Sequence, residues 1–100
     1  MKSISIIIPA YNYEKLIITK LRKIIKKIKK YKIKYEIIII DDCSQDSTFF
    51  LLQNFIKNKK NIYLLKNSQN KGKSYSVKKG LKISKYNHVI FIDCDLPYFN

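Results

Sequence analysis

The segment YEIIIIDD, residues 35–42, decides the fold, because it joins a continuous apolar run to two carboxylates. Its four consecutive isoleucines do not alternate with polar residues, which is typical of a strand covered on both faces. Short apolar runs of the same kind occur at three other places in the chain. We therefore predict four strands, at Ser3–Ile8, Tyr35–Ile40, Asn61–Leu65 and Val89–Ile92.

Helical patterns separate the four runs. Between the first two, the spacing of apolar residues predicts an amphipathic helix whose other face is lysine; its stripe is Ile17, Leu21, Ile24, Ile25 and Ile28. A shorter pattern over residues 51–56 predicts a second helix, which Asp46, Ser47 or Thr48 can cap. A weaker pattern over residues 75–83 predicts a third helix, which we expect Gly80 to interrupt.

The order of these elements is βαβαβαβ, which predicts an α/β fold with a parallel sheet in the strand order 3-2-1-4. In open sheets of this kind, ligands bind beyond the carboxyl ends of the strands, where the strand order reverses. The reversal lies between the first and fourth strands. Residues Pro9–Tyr13 and Asp93–Asp95 should therefore be neighbours at a binding site.

Length and composition set the class of protein. One hundred residues with 46% hydrophobic content indicate a single small globular domain covering residues 1–100. No apolar run approaches the roughly 18 residues of a membrane span, and no signal peptide is recognisable, so the expected location is the cytosol. The two cysteines, Cys43 and Cys94, have neither disulfide nor zinc spacing, and we expect reduced thiols.

The net charge of +14 includes ten basic residues between Lys15 and Lys34 with no acid among them. Three interpretations stay open for this block: a solvated lysine face, a contact with an anionic membrane surface, or a nucleic-acid contact. The abundance of Ile, Lys, Asn and Tyr throughout favours the first. No nucleic-acid recognition module is found, so we expect no nucleic-acid partner. Contact with a membrane would place the protein peripherally at the cytoplasmic face.

The acidic residues are few and concentrated. Five of the seven follow the second and fourth strands, namely Asp41, Asp42, Asp46, Asp93 and Asp95. Neighbouring carboxylates raise each other's pKa unless a cation lies among them, and oxygen ligands suit Mg²⁺ or Mn²⁺. We therefore predict a divalent metal that bridges Asp93 or Asp95 to a diphosphate, with Asp46 as a helix cap.

Four segments resemble the family 2 glycosyltransferases, inverting enzymes of GT-A fold. They are SIIIPAYN (5–12), YEIIIIDDCSQDST (35–48), NKGKSYSVKKGL (70–81) and VIFIDCDLP (89–97). Their order and spacing match the family over essentially the whole chain. Within the family, the second and fourth segments most resemble those of the polyprenyl-phosphate (dolichyl-phosphate) sugar synthases. The fold implied is the nucleotide-binding half of a GT-A domain.

The resemblance implies a nucleotide-sugar donor, linked to UDP or GDP, and roles for individual residues. Pro9 and Tyr11 would line the nucleotide, Asp41 or Asp42 would accept hydrogen bonds from base or ribose, and Lys71 and Gly72 would border the nucleoside. Asp93 and Asp95 match the Asp-x-Asp motif that holds Mn²⁺ or Mg²⁺ on the diphosphate, with Cys94 contributing its backbone. The donor-binding set is completed by Asn12, Glu14 and Ile40.

Three features depart from the family pattern. Tyr13 stands where many members have glutamate, with Glu14 one residue later, and Cys43 stands where glycine is usual, so a positive φ there would strain the loop. The third departure is length, because the family places its acceptor pocket and catalytic base downstream of the Asp-x-Asp motif. His88 precedes the fourth strand and is not expected to be that base, so no catalytic residue is predicted.

Two functions stay open from the sequence. In the first, the chain is the truncated donor-binding half of a glycosyltransferase, which transfers a sugar with inversion to an acceptor such as polyprenyl phosphate or a glycan. In the second, it is a non-catalytic nucleotide-sugar-binding module, or a subunit that a second chain completes with the acceptor half. The sequence does not decide whether the chain is an enzyme by itself.

Overall fold

A computed structural model describes residues 2–93 of the protein. The elements alternate strand and helix along the chain: β1 (Ser3–Ala10), α1 (Ile17–Lys30), β2 (Lys34–Asp41), α2 (Thr48–Ile56), β3 (Ile62–Lys66), α3 (Lys73–Ile83) and β4 (His88–Phe91). The four strands form one parallel sheet in the order β3-β2-β1-β4. The predicted fold class and strand order are confirmed.

The two central strands are covered on both faces, as their continuous isoleucines indicate. On one face, alternate residues of β1 and β2 pack against α1 and α2, and Leu21 and Leu52 of these helices are fully buried. On the other face, Ile7, Ile38 and Ile40 form a smaller cluster beneath α3. Helices α1 and α2 therefore share one face of the sheet, while α3 covers the other.

Helix α3 runs without a break through Gly80, so the expected interruption there is wrong. A Cβ atom built on Gly80 would lie 2.8 Å from Cγ2 of Ile7 and 3.0 Å from Cδ1 of Ile40. Glycine is present because the helix approaches the sheet too closely for a side chain, and this packing outweighs its low helix propensity.

The strand ends differ from the prediction by one or two residues. β1 continues to Ala10 and β2 to Asp41, because the parallel pairing of Pro9 with Ile40 and of Ala10 with Asp41 extends the ladder past the isoleucines. β3 and β4 are shifted by one residue, in opposite directions. Within residues 2–93, no helix has the length and apolar character that a membrane crossing requires.

Candidate functional site

A cavity opens at the carboxyl edge of the sheet, between the end of β1 and the start of α3. Its walls are formed by Pro9, Ala10, Tyr11, Asp42, Lys73 and Ser76. Three of these residues, Pro9, Tyr11 and Asp42, belong to the set predicted from the sequence. The enclosed part holds only about 30 Å³, whereas small-molecule sites typically measure roughly 300–1,000 Å³. A nucleotide would therefore extend from this cavity across the open edge.

Asp42 connects the cavity to the loop that precedes α3. Its Oδ1 accepts hydrogen bonds from the Lys71 N–H at 2.7 Å and the Asn67 amide at 2.8 Å, and its Oδ2 accepts one from the Gly72 N–H at 2.8 Å. The carboxylate is 5% exposed. Burial raises the pKa of Asp42, but these three hydrogen bonds outweigh burial and hold the pKa below its ordinary value.

Asp41 faces a different set of partners. Its side chain is fully buried, and its two oxygens accept hydrogen bonds from the Ser44 hydroxyl at 2.6 Å and the Ser44 N–H at 2.9 Å. It does not line the cavity. Adjacent carboxylates at the end of β2 are thus separated by the alternation of side chains, and Asp42 is the one that faces the cavity.

The loops after β1 and β2 are tied together by side chains. Asn12 accepts a hydrogen bond from the Gln45 N–H at 2.7 Å, and Glu14 accepts one from the Ser47 N–H at 2.8 Å. Asp46 lies one residue before Ser47, the N-cap of α2, and accepts hydrogen bonds from the N–H and hydroxyl of Thr48, the first residue of the helix, so it holds the helix start without being its N-cap. Neither Asn12 nor Glu14 lines the cavity, and their predicted donor contacts stay predictions.

The pKa of Asp46 reflects the same network. Burial raises it, but the hydroxyl and N–H of Thr48 and the N–H of Glu14 donate to the carboxylate, and the pKa lies below its ordinary value. A deprotonated Asp46 therefore holds the start of α2 against the loop after β1. Asp46 does not line the cavity, so this role is structural.

Cys43 adopts a φ of 63°, so the usual glycine position of the family does require the left-handed region here. Its thiol is free and lies 3.7 Å from the Ser68 carbonyl oxygen. The cysteine is therefore accommodated in the loop rather than paired, at a conformational cost of about 1 kcal/mol or more.

The other predicted residues occupy distinct places. Ile40 is fully buried beneath α3 and does not line the cavity. His88 is exposed at the first residue of β4, at the opposite edge of the sheet from the cavity, in keeping with the expectation that it is not the catalytic base. Cys94 and Asp95 lie outside the described residues.

Asp93 lies just beyond β4 and forms an ion pair with Lys73, the first residue of α3. The Asp93 side chain is 13% exposed and that of Lys73 is 56% exposed. Among residues 2–93, no three His, Cys, Asp or Glu side chains cluster closely enough to hold a metal ion. The predicted role of Asp93 as a metal ligand therefore stays a prediction.

Asn67 is a site residue that the sequence reasoning missed. It is 1% exposed, its amide donates to both Asp42 and Ser76, and its Oδ1 accepts a hydrogen bond from Lys79 at 3.0 Å. Its position directly after β3 is the signal that could have identified it, since the carboxyl ends of parallel strands share one edge. Lys73 and Ser76 were missed because nothing in a helical pattern distinguishes them.

Comparison with protein-family models matches residues 5–99 to the model described as Glycosyl transferase family 2. A curated relative, the dolichyl-phosphate beta-glucosyltransferase of Dictyostelium discoideum, is 40% identical over 99 residues. The match covers 92% of this chain and 30% of that protein. The chain therefore spans less than a third of that relative's length.

Solved structures match the same unit. The Staphylococcus aureus TarS fragment 1–349 in complex with UDP superimposes with a TM-score of 0.77 and 32% identity, over 95% of this chain and 28% of that one. The mannosyltransferase PcManGT from Pyrobaculum calidifontis, in complex with GDP-Man and Mn²⁺, gives a TM-score of 0.81 at 23% identity, over 92% of this chain and 27% of that one. The second likeness is evidence of a shared fold.

Proposed function

Because this chain belongs to glycosyl transferase family 2, we propose that its cavity binds the nucleotide of a nucleotide-sugar donor for inverting sugar transfer. The observation that carries the proposal is the position of Asp42, which faces the cavity and holds the loop at residues 71–72 beside it. The UDP and UDP-GlcNAc complexes of TarS support a donor of this class.

Asp42 rather than Asp41 is the acid that we assign to the nucleoside. Its Oδ2 accepts a single hydrogen bond, from Gly72, and a carboxylate oxygen has capacity for a second. A ribose hydroxyl or a base N–H can donate to that lone pair. Tyr11, at 40% exposure beside the cavity, offers an aromatic face for the base.

A divalent cation at this edge is part of the proposal, and Asp93 is the one of its two predicted ligands that lies within the described residues 2–93. Asp93 together with Asp95 would hold Mn²⁺ or Mg²⁺, because both ions prefer carboxylate and phosphate oxygens. When bound, the cation would supply positive charge against the diphosphate leaving group. The Mn²⁺ complex of PcManGT supports this choice of ion.

The acceptor that we propose is a polyprenyl phosphate, supported by the name of the Dictyostelium discoideum relative. A phosphate acceptor is already anionic and needs no general base. The proposal assigns to residues 2–93 the task of binding and orienting the donor. Deprotonation is assigned to none of them.

Calorimetry with UDP, GDP, uridine and guanosine, each with and without Mn²⁺, tests this proposal. We expect one nucleotide pair to bind, and Asp42→Asn to weaken both the diphosphate and its nucleoside by at least roughly 10-fold, the equivalent of one lost hydrogen bond to a charged group. Asp46→Asn, which removes a carboxylate outside the cavity, is the matched control. Failure of all four ligands to bind the wild type, or unchanged binding by Asp42→Asn, would contradict it.

A second candidate is a donor-binding module that another polypeptide completes. It is favoured by exposed apolar side chains along the outer strand, where Ile90 and Phe91 are 44% and 48% exposed. Apolar grooves lie on both sides of β4, lined by α1 on one face and α3 on the other. Contiguous surface of this kind marks interaction sites. Donor binding without sugar transfer by the chain alone would favour this candidate over an autonomous enzyme.

We also propose that a basic groove between α1 and α2 contacts an anionic membrane. Its lining is Arg22, Ile25, Lys26, Lys29, Phe55 and Lys59, with a volume of about 340 Å³. The apolar floor and cationic rim match a phospholipid head group and the adjoining acyl carbons. Among residues 2–93, the charged side chains that line the groove are all basic.

Vesicle sedimentation tests this location. Changing Lys26, Lys29 and Lys59 together to Gln should weaken binding to phosphatidylserine vesicles by roughly 100-fold at low salt, from about 1 kcal/mol for each lysine. The control changes Lys78, Lys82 and Lys85 to Gln, which removes the same charge from the α3 side. Equal losses in the two triple variants, or preference for duplex DNA over vesicles, would contradict a membrane groove.

A further inference from the structure

Lys73 stands between the donor cavity and Asp93. Its side chain lines the cavity together with Tyr11 and Asp42, and it also lines the groove between α3 and β4 together with Phe91 and Asp93. Its Nζ donates to Asp93 Oδ2. One flexible cation therefore borders both the place assigned to the nucleotide and the carboxylate assigned to the metal.

The ion pair has a direct consequence for metal binding. A divalent cation and the Lys73 ammonium are both positive, and both are attracted to the same Asp93 oxygen. Two like charges in contact with one carboxylate repel each other, so the cation must displace the ammonium or bind against its charge. In the arrangement that the structure shows, the Lys73 ammonium neutralises the Asp93 carboxylate.

The exposure of the pair indicates which partner moves. The Lys73 side chain is 56% exposed whereas that of Asp93 is 13% exposed. A lysine carries a compact charge on a flexible four-carbon side chain, so its ammonium can turn to a new partner without backbone motion. Asp93 directly follows Ile92, whose N–H donates a hydrogen bond to the carbonyl oxygen of Ile7 in β1. This bond holds the backbone next to Asp93 in place.

A new partner for Lys73 is available in the cavity. Lys73 is the first residue of the eleven-residue helix α3, so its ammonium adds to the partial positive charge of the N–H groups at that helix end. Ser76, one turn later, lines the same cavity. A diphosphate entering from the sheet edge would meet Lys73 first, because this residue is the exposed cation of the lining.

We propose that Lys73 is a positioning residue that pairs with Asp93 before donor and metal bind, and with the donor diphosphate afterwards. This inference rests on the proposed donor site and adds an order to it. Metal binding at Asp93 frees Lys73 for the diphosphate, and a diphosphate that attracts Lys73 frees Asp93 for the metal. Each ligand therefore strengthens the binding of the other, and the coupling is reciprocal.

The test compares Lys73→Met with Lys78→Met, which removes a lysine of the same helix outside the donor cavity. Mn²⁺ binding without nucleotide, followed by the electron paramagnetic resonance signal of the free ion, should tighten by roughly 5- to 10-fold in Lys73→Met, since a competing charge is lost. Nucleoside diphosphate binding with Mn²⁺ should weaken by a similar factor, while binding of the matching nucleoside should not change. Lys78→Met should match the wild type in all three measurements.

Asp93→Asn tests whether Lys73 affects metal binding through the Asp93 carboxylate. In an Asp93→Asn background, Lys73→Met should no longer tighten Mn²⁺ binding, because the shared carboxylate is gone. Wild-type Mn²⁺ and diphosphate affinities in Lys73→Met would overturn the inference, as would an equal loss of nucleoside binding. A wild type that binds neither nucleosides nor their diphosphates would instead overturn the proposed function. Thermal unfolding of each variant establishes that the comparison is made between folded proteins.

Discussion

The two faces of the sheet are built differently. Beneath α1 and α2, eleven buried residues form one continuous cluster, including Leu21 and Leu52. Beneath α3, the buried cluster within residues 2–93 is Ile7, Ile38 and Ile40, and the helix lies so close that Gly80 has no room for a Cβ. We call the face beneath α1 and α2 the thick face and the face beneath α3 the thin face. The thin face also holds the loop and helix start that form the proposed donor cavity.

The largest expected effect lies on the thick face. Leu21→Ala should lower the free energy of unfolding by about 2–5 kcal/mol, because Leu21 is fully buried and its loss leaves a cavity. Leu81→Ala on α3 is the matched control, since Leu81 is 46% exposed, and it should change stability by no more than about 0.5 kcal/mol. Urea unfolding measures both, and similar losses would contradict the contrast between the faces.

On the thin face, Gly80→Ala should destabilise the protein by about 1–3 kcal/mol, because the new methyl group overlaps Ile7 and Ile40. In an open helix the same change would stabilise by about 1 kcal/mol. Ser74→Ala, at an exposed position of α3, controls for helix propensity and should be neutral or slightly stabilising. A more stable Gly80→Ala protein in urea unfolding would show that α3 can move away from the sheet.

The hydrogen bonds by which Asp42 holds the loop at residues 71–72 should stabilise the protein in a pH-dependent way. The folded-state pKa of Asp42 is lowered, so its contribution is complete above the unfolded-state value of about 3.9 and is lost as pH falls through the folded-state pKa. Asp42→Asn should therefore be less stable than the wild type at pH 6, by about 1–3 kcal/mol. Denaturant unfolding from pH 6 to 2 should show this difference shrinking below about pH 4, and a difference independent of pH would contradict it.

The smallest effect is expected at Cys43, in the loop that follows β2. Cys43→Gly should stabilise the protein by up to about 1 kcal/mol, because glycine adopts the observed positive φ without strain. Cys43→Ala keeps the Cβ atom and the strain, so it should give no gain. Thermal unfolding at matched concentration distinguishes the two. A larger gain from alanine than from glycine would place the cost in the thiol and not in the backbone.

The central strands and α1 were predicted closely because their signal is local. Runs of isoleucine in β1 and β2 and the stripe along α1 report burial directly from spacing. The error at Gly80 has the opposite origin. A glycine in a helical pattern reads locally as a break, whereas its reason is the distance between α3 and the isoleucines of two strands, which are far away in the sequence.

The proposed donor site divides in the same way. Residues at or just beyond the carboxyl ends of strands, such as Pro9, Tyr11 and Asp42, could be identified because these ends of parallel strands meet at one edge. Asp41 and Asp42 could not be separated from the sequence, because which of two adjacent side chains faces the cavity depends on strand pleat and loop contacts.

The sequence by itself determined the parallel order of strands and the edge at which polar residues gather, because apolar spacing and chain connectivity leave few alternatives. Only the tertiary structure decided that Asp42 holds the loop at residues 71–72, that Asn67 supports it, and that Lys73 neutralises Asp93. These contacts join residues that are 20 or more positions apart in the sequence. Their energies depend on distances of a few ångströms, which no local pattern encodes.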